Sequence, residues 1–166
     1  ENILNDNSED IKVQIANDNT EGQIVCSGKN TDLEKLMIVL KSKNIKNMKL
    51  PVSAPFHCNL MNKATILMTD EINKLKIIQP KNPIVTNVTG KATNDISQIR
   101  NLMIKQIENR VRWRESINFM ISQNINNFIE IGPGKVLINL IKRSYKDAKV
   151  CAINNISDIQ NIEIND

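Results

Sequence analysis

The single histidine of the chain, His57, is the first candidate for chemistry. It lies in the segment Ser-Ala-Pro-Phe-His-Cys at residues 53–58, after a predicted strand and directly before a long predicted helix. In α/β proteins, the loop that leaves the carboxyl end of a strand is where active sites are built. An imidazole in such a loop can act as a general base, because it titrates near neutral pH. From position alone, a histidine that only caps a turn is the more common alternative.

The neighbouring Cys58 is a rival nucleophile. A residue next to a histidine at a helix start seldom points its side chain at that imidazole, so Cys58 is interpreted as a packing residue. The other cysteines, Cys26 and Cys151, are too distant in sequence to form a CxxC metal or redox motif, and an odd number of cysteines indicates free thiols. With only one histidine in the chain, the sequence predicts no metal site.

A second candidate is the Gly-Pro-Gly turn at residues 132–134, which is followed by Lys135. It separates a predicted strand from a predicted helix, so the backbone N–H groups at the helix start could bind an anion. The spacing fits neither a P-loop nor a dinucleotide-binding fingerprint. A purely structural turn is therefore the favoured interpretation.

The composition of the 166 residues, with 40% hydrophobic and 24% charged residues, is that of a globular domain and excludes a disordered tail, a fibre or a disulfide knot. No apolar run reaches the ~20 residues of a membrane span, and no signal peptide opens the chain. A cytoplasmic location without membrane contact is expected. The net charge of +4 is dispersed and aromatics are only 3%, which argues against nucleic-acid binding. Contact of the lysines at 41–49 with phosphates or an acidic partner remains a minor alternative.

Hydrophobic periodicity predicts strands that alternate with helices. The predicted strands are 11–15, 23–27, 48–53, 84–88, 128–131 and 150–153, and the predicted helices are 31–40, 58–77, 95–107, 115–123 and 135–145. The helix at 58–77 is expected to bury the stripe Leu60, Ala64, Leu67, Met68, Ile72 and Leu75. The tail after Asn155 is predicted to be weakly structured. This order indicates a largely parallel sheet that is covered on both faces.

Five ordered motifs lie between about residues 15 and 155. They are Asn19 with Gly-Gln-Ile-Val (22–25) and Ser-Gly (27–28), Leu-Pro-Val-Ser-Ala-Pro-Phe-His-Cys (50–58) with Leu60-Met61, Pro-Ile-Val-Thr-Asn-Val (83–88), Gln106 with Val-Arg-Trp-Arg-Glu-Ser (111–116), and Ile-Gly-Pro-Gly-Lys-Val-Leu (131–137). In this order they resemble the malonyl-CoA:acyl-carrier-protein transacylases of type II fatty-acid synthesis. Five motifs in register are far more specific than any one of them.

In that family, a serine on a Gly-x-Ser-x-Gly elbow attacks malonyl-CoA, and the acyl-enzyme passes the malonyl group to the phosphopantetheine thiol of acyl carrier protein. The resemblance implies that His57 is the base that activates the serine. It also implies that the backbone carbonyl of Gln106 orients the imidazole, a neutral acceptor in place of an Asp. The candidate substrate-binding residues are Asn19, Lys46 and Asn87. The expected partners are malonyl-CoA and acyl carrier protein, and no cofactor is implied because CoA is a substrate.

No Gly-x-Ser-x-Gly occurs in the sequence. The elbow, the arginine for the malonyl carboxylate and the oxyanion loop are expected upstream of Glu1, so the chain should correspond to the second half of the enzyme and be inactive alone. The implied fold is the later part of an α/β-hydrolase-like parallel-sheet core at residues 54–166, plus an incomplete ferredoxin-like small subdomain at residues 1–53. A missing elbow strand would leave unpaired sheet edges, so marginal stability is expected.

Two other functions stay open at this point. One is a non-catalytic module that docks an acidic carrier protein or CoA through residues such as Lys46 and Lys49. The other is an acyltransferase with a different acyl preference, because the residue that would select the acyl group is not in the sequence.

Overall fold

The computed structural model describes residues 1–160 as a mixed α/β fold. The helices are α1 Asn2–Asp6, α2 Asn30–Ser42, α3 Asn62–Lys74, α4 Ile96–Lys105, α5 Trp113–Ser122, α6 Val136–Ser144 and α7 Ile156–Gln160, and a 3₁₀ turn covers Asn59–Met61. The strands are β1 Val13–Thr20, β2 Gln23–Gly28, β3 Ile84–Val85, β4 Ala92–Thr93, β5 Asn127–Ile131 and β6 Lys149–Ile153. In this part of the chain, β1–β2 and β3–β4 are antiparallel pairs and β5–β6 is a parallel pair.

The core lies around α6, which connects the two parallel strands. Its buried centre consists of Ile117, Ile141 and Ala148, with Trp113, Met120, Ile121, Phe128, Tyr145 and Val150 packed against it. Glu130 at the end of β5 accepts hydrogen bonds from the backbone N–H groups of Leu137 (3.1 Å) and Ile138 (3.0 Å). A carboxylate at a helix N-terminus satisfies unpaired donors and the helix dipole together.

The Gly-Pro-Gly turn between β5 and α6 has a structural role in these contacts. Gly132 and Gly134 have φ values of +143° and +96°, which side-chain-bearing residues rarely adopt. The N–H of Gly134 donates to Asn154 Oδ1 at 2.6 Å. Because Glu130 already holds two of the donors at the start of α6, the geometry favours the structural interpretation of this turn over anion binding.

The segment before the 3₁₀ turn differs from the prediction. The strand expected at 48–53 is wrong, because residues 43–58 contain neither helix nor strand. Pro51 and Pro55 lack the N–H groups that a ladder needs, and the N–H of Val52 donates locally to the carbonyl of Leu50 at 2.9 Å. The helix expected at 58–77 is shorter and comprises the 3₁₀ turn and α3.

Most of the predicted buried stripe of α3 is also wrong. Of its six residues only Ile72 is buried, and Leu67 is 71% exposed. The helix packs on α4, where the Arg100 guanidinium donates to the carbonyls of Ile72, Asn73 and Leu75 at the end of α3. These bonds satisfy terminal carbonyls that have no partner within the helix. The apolar periodicity of α3 is therefore real, but little of this face is covered.

Three further expectations are corrected by the structure. The strand expected at 84–88 stops at Val85, because a turn follows in which the Gly90 N–H donates to the Thr86 carbonyl at 2.9 Å. Its antiparallel partner, β4, is not predicted from the sequence. Of the described strands only β5 and β6 are parallel, and one face of that pair is exposed at Ile129 and Ile131. Residues 156–160 form a helix where weak structure was expected, and the remaining tail, 161–166, lies outside the described residues. The other predicted elements are confirmed to within a few residues.

The loop from residue 106 to 112 connects separate parts of the fold. Val111 lies beside β1, where its N–H donates to the Ala16 carbonyl (2.8 Å) and its own carbonyl accepts from Asp18 N–H (2.9 Å). The next residue, Arg112, donates its N–H to the carbonyl of Asn87 at 2.8 Å. The end of this loop is thereby held between β1 and the turn after β3.

A partly buried ion pair stabilises the same junction. Arg114 Nη2 lies 2.8 Å from Oδ2 of Asp18, a residue that is buried. The hydrogen bond from Arg114 and the negative charge of Asp18 raise the pKa of the guanidinium.

Candidate active site

His57 has an unusual backbone conformation, with φ at +59°. Residues other than glycine seldom occupy this left-handed region, although histidine is among the types enriched there. Such backbone strain concentrates at functional sites, where the surrounding structure must hold it in place. The side chain of His57 is half-buried.

The residues that follow His57 are held by contacts from two directions. Cys58 is fully buried, with Sγ 3.1 Å from the Pro55 carbonyl, in agreement with a packing role. The N–H of Asn59 donates to Gln14 Oε1 on β1 at 2.8 Å. Asn62 Nδ2 donates to Glu108 Oε1, in the loop after α4, at 3.2 Å. Together these contacts hold the turn that follows His57 from two sides.

The imidazole itself contacts the end of α4. His57 Nδ1 lies 2.7 Å from the backbone oxygen of Gln106, a residue 49 positions later in the sequence. Gln106 is the C-cap of the helix, and its N–H donates to the Leu102 carbonyl at 3.0 Å. Carbonyls in the last turn of a helix have no partner within the helix, so this oxygen is free to accept a bond from elsewhere.

This contact determines the tautomer of the neutral imidazole. A carbonyl oxygen can only accept, so Nδ1 carries the proton and Nε2 is left with a lone pair. An imidazole held in this way can act as a base whose orientation is set without an added charge. The structure thus brings together the two residues that the resemblance pairs, His57 and Gln106, and their catalytic roles stay a prediction.

Asn87 lies next to this pair. Its Nδ2 donates to Gln106 Oε1 at 3.1 Å, while its backbone oxygen accepts from Arg112. The hydrogen bonds around His57 include Asn87 but neither Asn19 nor Lys46. Asn19 lies half-buried near the end of β1, beside Trp113 and α5. Lys46 is exposed in the irregular segment before the 3₁₀ turn.

Sequence reasoning missed the polar residues that hold the turn after His57, which are Gln14, Asn62 and Glu108. Each is a single polar side chain in an ordinary amphipathic pattern. No local signal distinguishes it from a solvated surface residue, because its partner lies 45 or 46 positions away.

The remaining reactive groups are the three cysteines. Cys26, Cys58 and Cys151 are free thiols, and burial raises the pKa of Cys26, which lowers its reactivity. Within residues 1–160, no three ligating side chains come together as a metal site. None of the helices in that range has both the length and the apolar character needed to cross a membrane.

The tautomer of His57 is open to direct measurement, because the chain has one histidine. In alkaline buffer, we expect the long-range proton–nitrogen spectrum of the labelled chain to show a protonated Nδ1 and an unprotonated Nε2. Free neutral histidine favours the opposite tautomer, so the spectrum of the chain in denaturant is the control. A folded chain that gave the same spectrum as the denatured one would contradict the hydrogen bond to Gln106.

The chain is similar to known proteins over nearly its whole length. No protein-family profile matches it. The malonyl CoA-acyl carrier protein transacylase of Staphylococcus aureus is 37% identical over 160 residues, which are 96% of this chain and 52% of the relative. The crystal structure of the transacylase from Clostridium perfringens superposes with a TM-score of 0.89 at 35% identity, over 96% of this chain and 51% of that one. The chain belongs to the malonyl CoA-acyl carrier protein transacylase family.

The chain spans about half the length of the curated transacylases that it matches. Its fold corresponds to the carboxyl-terminal part of the transacylase structures. A further transacylase structure is described as a malonyl-transacylase in complex with its type II PKS acyl-carrier protein. It has a TM-score of 0.87 at 30% identity, with 99% of this chain and 54% of that one covered.

Proposed function

We propose that the chain supplies the general base of a malonyl-transfer site. In this reaction of fatty-acid synthesis, a malonyl group is transferred from malonyl-CoA to the phosphopantetheine thiol of acyl carrier protein through an acyl-serine intermediate. The observation that carries the proposal is the 2.7 Å contact between His57 Nδ1 and the Gln106 carbonyl. It leaves Nε2 as the atom that receives a proton.

The chemistry follows from that free nitrogen. Nε2 takes the proton of a serine hydroxyl as its oxygen attacks the thioester carbonyl carbon, and then returns the proton to the CoA sulfur as that group leaves. In the second half-reaction, Nε2 takes the proton of the carrier protein's thiol, and the thiolate displaces the serine oxygen, which is reprotonated. The Gln106 carbonyl holds the ring orientation in both halves and stabilises the imidazolium while it lasts.

The serine of this scheme lies outside the 166 residues, which contain no Gly-x-Ser-x-Gly. We therefore propose that the chain has no acyl-transfer activity when it is alone. A base without its nucleophile cannot start the reaction.

The remaining sites and partners belong to the same proposal. Asn87, which donates to the Gln106 side chain, binds the substrate close to the reacting groups. Asn19 is assigned to substrate binding because it belongs to the first of the five motifs. Exposed Lys46 and Lys49 offer positive charge to CoA phosphates or to the acidic carrier protein. The names of the relatives and the reported complex of a transacylase with its acyl-carrier protein support these partners.

We also propose the division of the chain into two units. Residues 1–53, which contain the β1–β2 hairpin and α2, form the remainder of a ferredoxin-like subdomain. Residues 54–166 form the later part of an α/β-hydrolase-like core, for which the parallel β5–α6–β6 unit is the support.

The test uses a chimera in which this chain replaces the matching half of the Staphylococcus aureus transacylase. After incubation with malonyl-CoA, the intact mass of the chimera is expected to increase by one malonyl group, whereas the mass of the chain alone is expected to stay constant. A chimera whose elbow serine is replaced by alanine is the control.

A stable malonyl adduct on a serine or cysteine of the chain alone would contradict the proposal. A chimera that folds, binds carrier protein and forms no malonyl-enzyme would support the binding-module alternative. The same assay with malonyl-CoA and with other acyl-CoA substrates tests the alternative of an acyltransferase with a different acyl preference.

A further inference from the structure

The 3₁₀ turn that follows His57 has no capping side chain of its own. Its N-cap residue is Cys58, which makes no side-chain capping bond and whose thiol donates instead to the Pro55 carbonyl. The first N–H groups of a helical turn have no partner within that turn, so they need an acceptor from another element. The N–H of Asn59 finds its acceptor on β1, where it donates to Gln14 Oε1 at 2.8 Å.

This contact reaches the main chain close to a strained residue. Asn59 lies two residues after His57, whose φ of +59° persists only where the surrounding structure holds it. On the preceding side, Pro55 has a φ that its ring fixes. Gln14 therefore supplies the restraint on the following side.

The same strand also holds the other partner of the imidazole contact. Two residues after Gln14, the carbonyl of Ala16 accepts from the N–H of Val111 at 2.8 Å, and Val111 lies five residues after Gln106. Residues two apart on a strand are separated by ~7 Å, and β1 is paired with β2 along its length. The strand is therefore a firm spacer between the turn of His57 and the loop that begins with the Gln106 carbonyl.

We propose that Gln14 is a positioning residue for the general base. By accepting the Asn59 N–H, its side chain sets where the His57 imidazole lies relative to the Gln106 carbonyl. It thereby also sets where Nε2 lies relative to the serine proton. This inference rests on the proposed function, because the position of the imidazole affects turnover only if His57 is the base.

One further contact joins the same two segments. Asn62 Nδ2 donates to Glu108 Oε1 at 3.2 Å, but this bond joins two side chains and begins five residues after His57. The turn should therefore stay partly held when Gln14 is changed. We expect a folded chain with a partial loss of positioning.

The test removes the acceptor of Gln14 and keeps the length of the side chain. In Gln14→Met, we expect the long-range proton–nitrogen spectrum of the full chain in alkaline buffer to show His57 as a mixture of both tautomers. In the chimera, the turnover number should fall on the order of tenfold, the usual effect of one lost hydrogen bond, and the KM for malonyl-CoA should change less than about twofold. Gln14→Glu keeps an acceptor at the same reach and should restore the spectrum and the turnover number.

Gln98→Met is the matched control. Gln98 is also exposed, and its Oε1 accepts from Thr93 Oγ1 at the same distance of 2.8 Å. That contact lies at the start of α4, at the opposite end from Gln106, so the spectrum of His57 should not change. Thermal melts verify that each variant folds. If Gln14→Met does not, Gln14→Asn takes its place with the same expectation, because its amide is one methylene too short to reach Asn59.

The proposal is overturned if folded Gln14→Met keeps the protonated Nδ1, if Gln98→Met shifts the spectrum equally, or if folded Gln14→Glu does not restore it. A shifted spectrum with turnover that survives both His57→Ala and Gln14→Met would defeat only the proposed function. Turnover that is lost in His57→Ala and fully kept in Gln14→Met would defeat only the positioning role.

Discussion

Replacing His57 with alanine is expected to lower the turnover number of the chimera by about 10²–10⁴-fold, the usual contribution of a general base. The Michaelis constant for malonyl-CoA should change little, because the imidazole acts on the serine proton and makes few contacts with CoA. Steady-state transfer to acyl carrier protein measures both constants. A loss confined to the turnover number would mean that the missing interaction acts in the transition state.

The control for this variant must separate chemistry from backbone strain. Asn124 has φ at +62°, close to the +59° of His57, and is exposed in the turn after α5, apart from the site residues. Asn124→Ala imposes the same conformational cost on alanine, so it should reproduce any loss of stability and none of the loss of turnover. An unchanged turnover number in His57→Ala would show that the histidine is only a turn residue.

Two substitutions of Gln106 should have very different effects. Gln106→Ala keeps the carbonyl, so turnover should stay within roughly tenfold, which corresponds to about 1.4 kcal/mol of barrier. Gln106→Pro keeps the φ of −62°, but it removes the N–H bond to Leu102 and disfavours helical geometry at Lys105. The carbonyl then moves, and a displacement of about 1 Å costs on the order of 10²-fold in rate.

The tautomer spectrum of His57 and the thermal melt accompany the kinetics of both variants. The alanine variant should keep the protonated Nδ1, and the proline variant should lose it. Asn87→Ala is the matched control for the tautomer spectrum, because it removes the donor to the Gln106 side chain and leaves the backbone intact. If alanine at 106 is as damaging as proline while the fold is intact, the side chain matters and the carbonyl assignment is wrong.

Local patterns were sufficient for elements whose apolar face is covered within this chain. The helix α6, with Ile138 and Ile141 buried, follows its predicted bounds closely. The same reasoning failed for α3, because periodicity identifies an apolar face but not whether anything covers it, and Leu67 is exposed. It also failed at residues 48–53, where apolar residues suggested a strand but no neighbouring strand accepts them.

The site was predictable to a different extent. Position alone left His57 ambiguous, and no periodicity connects it to a carbonyl 49 residues away. The ordered motifs supplied that pairing. They also gave Asn87, which lies in the network, and Asn19, which does not. The residues that hold the turn, such as Gln14, form contacts that only the assembled fold creates.

Because a main-chain oxygen orients the imidazole, the position of this acceptor depends on the length of α4. The identity of the side chain at position 106 matters comparatively little. Residue 106 can change during evolution, because every amino acid carries the backbone carbonyl that accepts the hydrogen bond. Insertion or deletion of one residue between Ile96 and Lys105 is a different kind of change, since it rotates everything beyond it by about 100° around the helix axis. Evolution of this site should therefore tolerate varied residues at 106 and reject changes in the number of residues before it.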